Sequence, residues 1–558
     1  MKPISLALAL LLACLFLSQG ATAPFEKDEE SRPAGVIADL IQRGAWLLPA
    51  DSYGQVTRKP PFYYWLSAAL LKLRNAPLDE AGARAVSIIS GAALAAVVLG
   101  VAGAAFGPAA GWLAWLMLLG CYGFVAHAAY ARTDMLFTLL MFAGYCSLYP
   151  ALEQGAGVRS WLPAAIVLGL AILTKGPLAL VLCALAILIY LLWTHRNPLA
   201  PLGRPWPWLT IALALAIAAL WYGPAFIATH GQLLKIQFGQ ENLGHLLPRR
   251  MGGTGEAARP VYYIVARFIG AALPLCLYIP ALILALGQPG RAPRQILYQL
   301  SFLLAVLGLF TLASAKRDDY VLPAFPPFAI ALGWLAVKVD FKPAAAMREL
   351  ATRVAALALI LAVTVAIVLA LAPAMAVRIG AHLQSSDSRY LALFMSHLEQ
   401  WHEIVCLSGL LIGAIAALAA SRTSTARIGI AAIAVASVAG VSLWVGAIRP
   451  GLAQQRTFKF FALRMRKITG GAPVYAVTAP DYEISFYYGR PLPALAAMAA
   501  ADKPNPRYIL VWSNTPQSRI AATGRGEILL TSHWTSDQRR LELLKIAASA
   551  FEPGRVGK

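Results

Sequence analysis

Residues 84–106, RAVSIISGAALAAVVLGVAGAAF, run from an opening arginine through apolar and small side chains only. An apolar run of about 18 or more residues is long enough to cross the hydrocarbon core of a bilayer as helix. Outward from it, runs of the same kind recur over 4–20, 109–126, 134–150, 161–173, 176–193, 206–227, 261–286, 296–314, 320–338, 353–373, 404–420 and 427–446, making thirteen candidate spans. Gly and Pro within them do not argue against helix, because lipid offers the backbone no water to bond to. The 558-residue chain is 59% hydrophobic, 13% charged and has mean hydropathy +0.64. Soluble chains lie near ~45–50% apolar and about 25% charged. The expected fold class is a polytopic α-helical membrane protein.

Charge in the short loops gives the expected sides. With the first residues inside, the inner loops hold Arg159, Arg196, Arg204, Arg291, Arg294, Lys342, Arg348, Arg422 and Arg427, as the positive-inside bias requires. The outer segments are 21–83, 228–260, 374–403 and 447–558, and they mix signs. A net charge of +21 suits contact with anionic membrane phospholipids. No basic-aromatic groove or finger spacing points to nucleic acid. Lys2, the apolar run and Ala21-Thr22-Ala23 also have the form of a signal peptide with a small-residue cleavage site. On either reading the segment after residue 23 is expected outside.

Two outer segments carry soluble structure. In 29–44, Val36, Ile37, Leu40 and Ile41 fall on helical spacing. In 60–73, Phe62, Tyr63, Trp65, Leu66 and Leu70 stand beside Lys72 and Arg74. That pattern suits a helix lying in the membrane interface, or one packed on the bundle. In the basic tail, 473–478, 484–488, 507–512 and 527–531 read as strands, and 456–468, 491–501 and 537–550 as helices. Such alternation argues a small α/β domain over 447–558, following a membrane domain over 1–446. No Gly-rich nucleotide loop opens a helix there, so no cofactor is assigned.

The chemistry-bearing residues gather in a few places. Glu26-Lys27-Asp28-Glu29-Glu30 crowds four carboxylates around one ammonium just after the first span. A carboxylate at the membrane surface can act as a base; a solvated acidic helix start would look the same. Arg58-Lys59-Pro60-Pro61 could grip a lipid phosphate, Arg as a fork and Lys as a point charge, or could simply snorkel. Arg132 with Asp134, Lys175 in Thr174-Lys175-Gly176-Pro177, and Lys316-Arg317-Asp318-Asp319-Tyr320 all fall at outward span ends. Any one of them suits a turn charge reaching solvent. Ionisable groups at membrane depth are costly unless paired or wetted, so the three together predict one outward-facing cavity. The loop after the seventh span adds Gln240-Glu241-Asn242, Arg249-Arg250 and the run Gly252–Gly255, which suits a lid or a plain flexible loop. No H-x-x-x-H or H-E-x-x-H motif occurs, which leaves a carboxylate site for a divalent metal ion open.

In their order, the acidic pair after the first span, Lys59-Pro60-Pro61 before an aromatic run, Arg132-Thr133-Asp134, Leu173–Pro177, Trp221-Tyr222, Glu241-Asn242 and Leu322-Pro323 resemble the bacterial membrane glycosyltransferases of family 39. These include the aminoarabinose transferases that modify lipid A, and are related to protein O-mannosyltransferases. The resemblance covers about residues 20–340. It implies a GT-C fold of thirteen spans in the bacterial inner membrane, with a periplasmic C-terminal α/β domain. It further implies a sugar donor linked to undecaprenyl phosphate, carrying for example 4-amino-4-deoxy-L-arabinose, and a lipid acceptor such as lipid A in the outer leaflet. Such a donor brings its own phosphate, so no nucleotide cofactor is implied.

Carried over by position, Asp28 and Asp134 take catalytic roles, with Asp28 acting on the acceptor oxygen. Lys59 would hold the donor phosphate, helped by Arg249 or Arg250, and Lys175 would line the same cavity. Glu29, Arg58, Glu241, Lys316 and Tyr320 complete the expected substrate-binding set. Two positions depart from the aminoarabinose enzymes. Ser31-Arg32-Pro33 stands where they usually have Arg-Tyr, and Arg58 where they usually have Glu. A transporter or flippase of a lipid-linked substrate also fits many spans with buried charges, although no internal repeat is found.

Overall fold

The computed structural model describes residues 2–25, 28–155, 157–237, 239, 259–288, 292–371, 401–421, 426–477, 481–494, 507–514, 526–533 and 539–546. The chain begins with α1 (Pro3–Leu17), α2 (Asp28–Arg43), α3 (Phe62–Leu73), α4 (Glu80–Phe106), α5 (Pro108–Leu119), α6 (Tyr122–Ala128), α7 (Thr133–Glu153), α8 (Val158–Lys175), α9 (Leu178–Trp193) and α10 (Pro205–Ala228). It continues with α11 (Tyr263–Ala271), α12 (Ile279–Leu286), α13 (Arg294–Leu312), α14 (Phe325–Lys338), α15 (Lys342–Leu371), α16 (Trp401–Ala420) and α17 (Ala426–Leu443). A π-helical turn, Trp444–Ile448, carries α17 on into α18 (Arg449–Arg456).

Among the described residues eight helices are long and apolar enough to cross a membrane, or up to ten if each of two bent pairs counts as one span. The bends are 70° between α5 and α6, and 106° between α11 and Leu275–Leu286. Three further apolar helices, Pro3–Leu17, Leu178–Trp193 and Ile404–Ala420, are shorter. The expected thirteen spans thus come down to eight to ten on length and composition. The stretches 134–150 and 161–173 gain the length to cross from their flanks, as the 21-residue α7 and the 18-residue α8.

Local chemistry sets the helix ends. Asp79 caps α4 by accepting the Gly82 N–H (2.7 Å), which satisfies one of the orphan donors of a helix start. Gly107, at φ +97°, ends α4, and Pro108 opens α5 at once, a placement that suits proline because it has no N–H to lose. Small residues then let helices touch backbone to backbone. A Cβ on Gly333 of α14 would lie 2.6 Å from the Ala110 carbonyl oxygen of α5.

After α18 come α19 (Lys459–Thr469), β1 (Val474–Ala476), α20 (Tyr482–Tyr488), β2 (Arg507–Trp512), β3 (Gly526–Thr531) and β4 (Leu541–Ile546). The sheet order is β1-β2-β4-β3, with β1 parallel to β2 and β4 antiparallel to both of its neighbours. Two expectations are corrected. The stretch 484–488 is helix, started by the Asp481 side chain accepting the Ile484 N–H (2.9 Å) and ended by Gly489 at φ +87°. The described part of 537–550 is a strand, β4, not a helix. It lies between two partners, and five of its six residues are buried. Of the helix expected over 491–501, residues 491–494 are not helical and 495–501 lie outside the described residues.

This C-terminal unit packs over one face of the bundle. Phe25, Ala34, Ala83 and Ala131 share a core with Phe461, Tyr487 and Leu510. Polar ties reinforce the contact. Asp51 accepts from Arg32 (3.1 Å), Tyr482 Oη (3.0 Å) and the N–H groups of Tyr53 (3.0 Å) and Gln55 (3.1 Å). Lys459 and Tyr487 both donate to Glu80, at 2.6 and 2.8 Å. Asp51→Ala strips four donors of one buried acceptor, so it should lower stability by about 1–3 kcal/mol. Thermal unfolding of the detergent-solubilised chain checks this, and an unchanged midpoint would mean that water replaces the carboxylate without cost.

Candidate functional site

α7 and α8 form an antiparallel hairpin, so the start of α7 and the end of α8 lie at the same face. Asp134 sits in the first turn of α7 and Lys175 is the last residue of α8. Each charge is favoured there by the helix dipole, the anion at an N-terminus and the cation at a C-terminus. Gly176, at φ +93°, donates its N–H to the Ile172 carbonyl (2.8 Å), and Pro177 prevents the helix from continuing. The motif Thr174-Lys175-Gly176-Pro177 is therefore a helix stop that presents Lys175.

Lys175 Nζ donates to Asp134 Oδ1. The other carboxylate oxygen of Asp134 meets Arg132 Nε at 3.1 Å. One terminal nitrogen of Arg132 reaches Asp319 Oδ2 (2.8 Å) and the other Glu29 Oε2 (3.0 Å). Arg317 bridges Asp319 (3.4 Å) and Glu29 (3.6 Å). Three carboxylates and three cations, from four distant parts of the chain, thus form one network. It is graded in depth. The side chains of Asp319 and Asp134 are 5% and 8% exposed, Lys175 16%, Arg317 35% and Glu29 55%. Tyr320 stacks on Phe310 (4.4 Å) and holds its ring 5.9 Å from Lys175 Nζ, with Phe137 at 5.7 Å on another side. Beside the network, Asp318 accepts from Tyr263 Oη and from Arg267 (2.8 Å).

Glu30, the next residue along α2, points elsewhere. Its carboxylate takes two bonds from Arg84, at 2.8 and 2.7 Å, and the Ala131 N–H at 2.9 Å. Arg84 also donates to the Ala21 carbonyl (2.8 Å), and both side chains are 0–1% exposed. Burial works to raise the Glu30 pKa. The opposing Arg84 charge and its hydrogen bonds, then the Arg449 charge and the Ala131 N–H, outweigh burial and hold it below the usual carboxylate range.

Of the expected site residues, Asp134, Lys175, Glu29 and Tyr320 meet in this cluster. Lys316 lies on the same turn as Arg317, with its Nζ on the Ala313 carbonyl (2.7 Å). Arg58 and Lys59 lie on the turn before α3, where the Lys59 N–H donates to Thr57 Oγ1 (3.3 Å). Asp28 opens α2, but its side chain lies outside the described residues, as do Glu241, Arg249, Arg250 and the Gly252–Gly255 run. α3 buries Tyr63, Tyr64, Ser67, Ala68 and Leu71 against its neighbours and exposes Leu66 and Leu73. Arg32, at one departing position, is engaged by Asp51 and by the Tyr482 ring (5.2 Å). The expected set lacked Arg132, Arg317 and Asp319 as binding groups, although they flank residues it included. It also lacked Arg84, whose signal was a lone cation heading an apolar run. Among the described residues no three His, Cys, Asp or Glu side chains gather in a way that could hold a metal ion.

A bundle of many spans with a buried ion network at one face, and a small α/β unit packed over that face, defines a polytopic membrane protein of GT-C-like fold. The family model for dolichyl-phosphate-mannose-protein mannosyltransferase matches residues 58–222. Over 315 residues the chain is 27% identical to the undecaprenyl phosphate-alpha-4-amino-4-deoxy-L-arabinose arabinosyl transferase of Pseudomonas aeruginosa (strain UCBPP-PA14), covering 55% of this chain and 54% of that one. Over 331 residues it is 28% identical to the enzyme of the same description from Pseudomonas savastanoi pv. phaseolicola, covering 58% of this chain and 60% of that one. The matched region thus spans little more than half the length of these curated relatives. The crystal structure of ArnT from Cupriavidus metallidurans bound to undecaprenyl phosphate superposes with TM-score 0.75 at 20% identity, covering 99% of both chains. The chain is thus similar in sequence to aminoarabinose transferases and, over residues 58–222, to the protein mannosyltransferases.

Proposed function

We propose that the chain is a membrane glycosyltransferase that moves a sugar from undecaprenyl phosphate to a lipid acceptor, with 4-amino-4-deoxy-L-arabinose as the first sugar to test and lipid A as the first acceptor. The observation that carries this reading is the convergence of Glu29, Arg132, Asp134, Lys175, Arg317 and Asp319 at one face. The acceptor oxygen attacks the anomeric carbon with inversion while the bond from that carbon to the phosphate oxygen breaks. Undecaprenyl phosphate leaves with the electron pair, and the acceptor's proton goes to a carboxylate.

The leaving phosphate gains negative charge, and preorganised cations facing such charge are commonly the largest catalytic term. Lys175 and Arg132 are the described cations placed for it, with Lys59 and Arg249 or Arg250 as further candidates. Asp134 holds Lys175 and Arg132 in position, and Asp28 is the proposed base. Glu29, at the open rim next to Asp28, is suited to an acceptor group or an amino sugar. Arg58, Glu241, Lys316 and Tyr320 remain proposed substrate contacts. The site face is assigned to the periplasm and the chain to the bacterial inner membrane, with residues 447–558 as the periplasmic domain. Counting the three shorter apolar helices and the two bent pairs as crossings gives the thirteen spans of the resemblance.

The reading is tested by reconstituting the chain in liposomes with undecaprenyl-phosphate-linked aminoarabinose and lipid A. A lipid A product heavier by one sugar residue, detected by mass spectrometry, is expected. Donor translocation with no new glycosidic bond would replace the enzyme by a flippase.

A further inference from the structure

The end of the bundle away from the Asp134 cluster carries a second set of cations, around a cavity of about 280 Å³. α7 links the two. Asp134 opens it and Glu153 closes it, roughly 28 Å apart at 1.5 Å per residue. Glu153 accepts from Arg196 and Tyr190 (2.8 Å) through one oxygen and from Arg294 (3.0 Å) through the other. One carboxylate therefore answers two guanidinium groups. A third, Arg204, lines the cavity and has no ion pair among the described residues. The local balance is an excess of positive charge.

The backbone holds this arrangement in place. Just past the end of α9, His195 lies in the left-handed region at φ +53°, and the Arg196 N–H turns back to the Leu191 carbonyl (2.8 Å). That closing bond aims Arg196 at the end of α7, where it also reaches the Leu152 carbonyl (3.3 Å). Asn197 spends its carbonyl oxygen on the Leu199 N–H (2.9 Å), leaving its amide donors for the cavity it lines. Trp206 lines the same cavity and is 5% exposed, and its indole N–H is buried with no acceptor. A buried donor left unmatched costs free energy, so an acceptor at this spot would be favoured. Leu152 and Leu191 form the apolar part of the wall.

We propose that this cavity binds a phosphate ester anion, presented by the headgroup of an anionic phospholipid in the leaflet opposite the Asp134 face. Arg204, the partly engaged Arg196, an amide and an indole N–H supply donors. A phosphodiester supplies acceptors only, and the apolar wall meets the start of its acyl chains. Basic pockets between spans at a membrane face are known to take such headgroups. The site is separate from the sugar-transfer reading and does not depend on it.

Native mass spectrometry of the full chain in detergent tests the proposal, with cardiolipin, phosphatidylglycerol, phosphatidylethanolamine or inorganic phosphate as probes. Arg204→Ala removes an exposed cation, and Trp206→Phe removes the N–H while keeping an aromatic ring. Each should weaken cardiolipin and phosphatidylglycerol adducts, by roughly tenfold for the charge-assisted contact of Arg204. Phosphatidylethanolamine adducts should stay unchanged. Binding of inorganic phosphate that is lost in Arg204→Ala, without lipid selectivity, would keep the anion site but name free phosphate as its ligand. Equal anionic-lipid binding by wild type and both folded variants would overturn the proposal.

Discussion

Lys175→Ala should lower the rate of sugar transfer by roughly 10²-fold or more while leaving the chain folded. The two halves of this expectation have separate causes. Lys175 is 16% exposed, bonded to Asp134 and flanked by the Phe137 and Tyr320 rings, and the leaving phosphate of the proposed reaction would lose one of its fixed counter-charges. Folding should survive because Asp134 keeps Arg132 on its other oxygen at 3.1 Å. Asp134→Ala is the contrasting variant. It leaves Lys175 and Arg132 facing each other without the anion between them, so it should lower both activity and stability. Initial rates in proteoliposomes, together with thermal midpoints of both variants, separate the two effects. Wild-type turnover by folded Lys175→Ala would remove this residue from the reaction and throw the phosphate onto Lys59 or the loop arginines.

Glu30→Gln should be the most destabilising change of a single carboxylate, by about 3–5 kcal/mol, because it leaves a buried guanidinium unmatched. Glu29→Gln next to it should cost less than about 1 kcal/mol, since Glu29 is 55% exposed and its pairs are screened. The two differ by one residue in sequence and by a full change of environment. The sign with pH follows from the depressed Glu30 pKa. The stabilisation is present above the unfolded carboxyl pKa, about 4.3, and is lost as pH falls through the lower folded value. The stability gap between wild type and Glu30→Gln should therefore be constant at neutral pH and should close only in acid below about pH 4.3. Denaturant or thermal unfolding across that range measures it, and a gap that already closes above about pH 4.3, or that is absent at neutral pH, would contradict the assignment of Arg84 as the partner.

The same pair shows what local sequence can and cannot carry. Asp28, Glu29 and Glu30 are chemically near-identical, and no composition argument ranks them. Only helical phase does so. About 100° of rotation per residue turns Glu29 toward Arg132 and Arg317, and Glu30 toward Arg84. The tail repeats the lesson. The run YEISFYY is apolar and aromatic enough for a strand, and short apolar runs do not separate strand from helix by period alone; the Asp481 cap and Gly489 decide for helix. LELLKI has leucines at helical spacing, yet hydrogen-bonding partners on both sides make it the inner strand β4.

What the chain determined locally is the membrane class, the positions of the apolar helices and the three charged span ends, because lipid tolerates only long apolar helix and punishes stray ions wherever they fall. Which charges meet, how deep each one lies, which carboxylate braces the fold and which stands at the rim were decided by tertiary packing. Ion pairing acts over a few ångströms, and Glu29, Arg132, Lys175 and Asp319 come within that range only when α2, α7, α8 and the turn before α14 converge at one face.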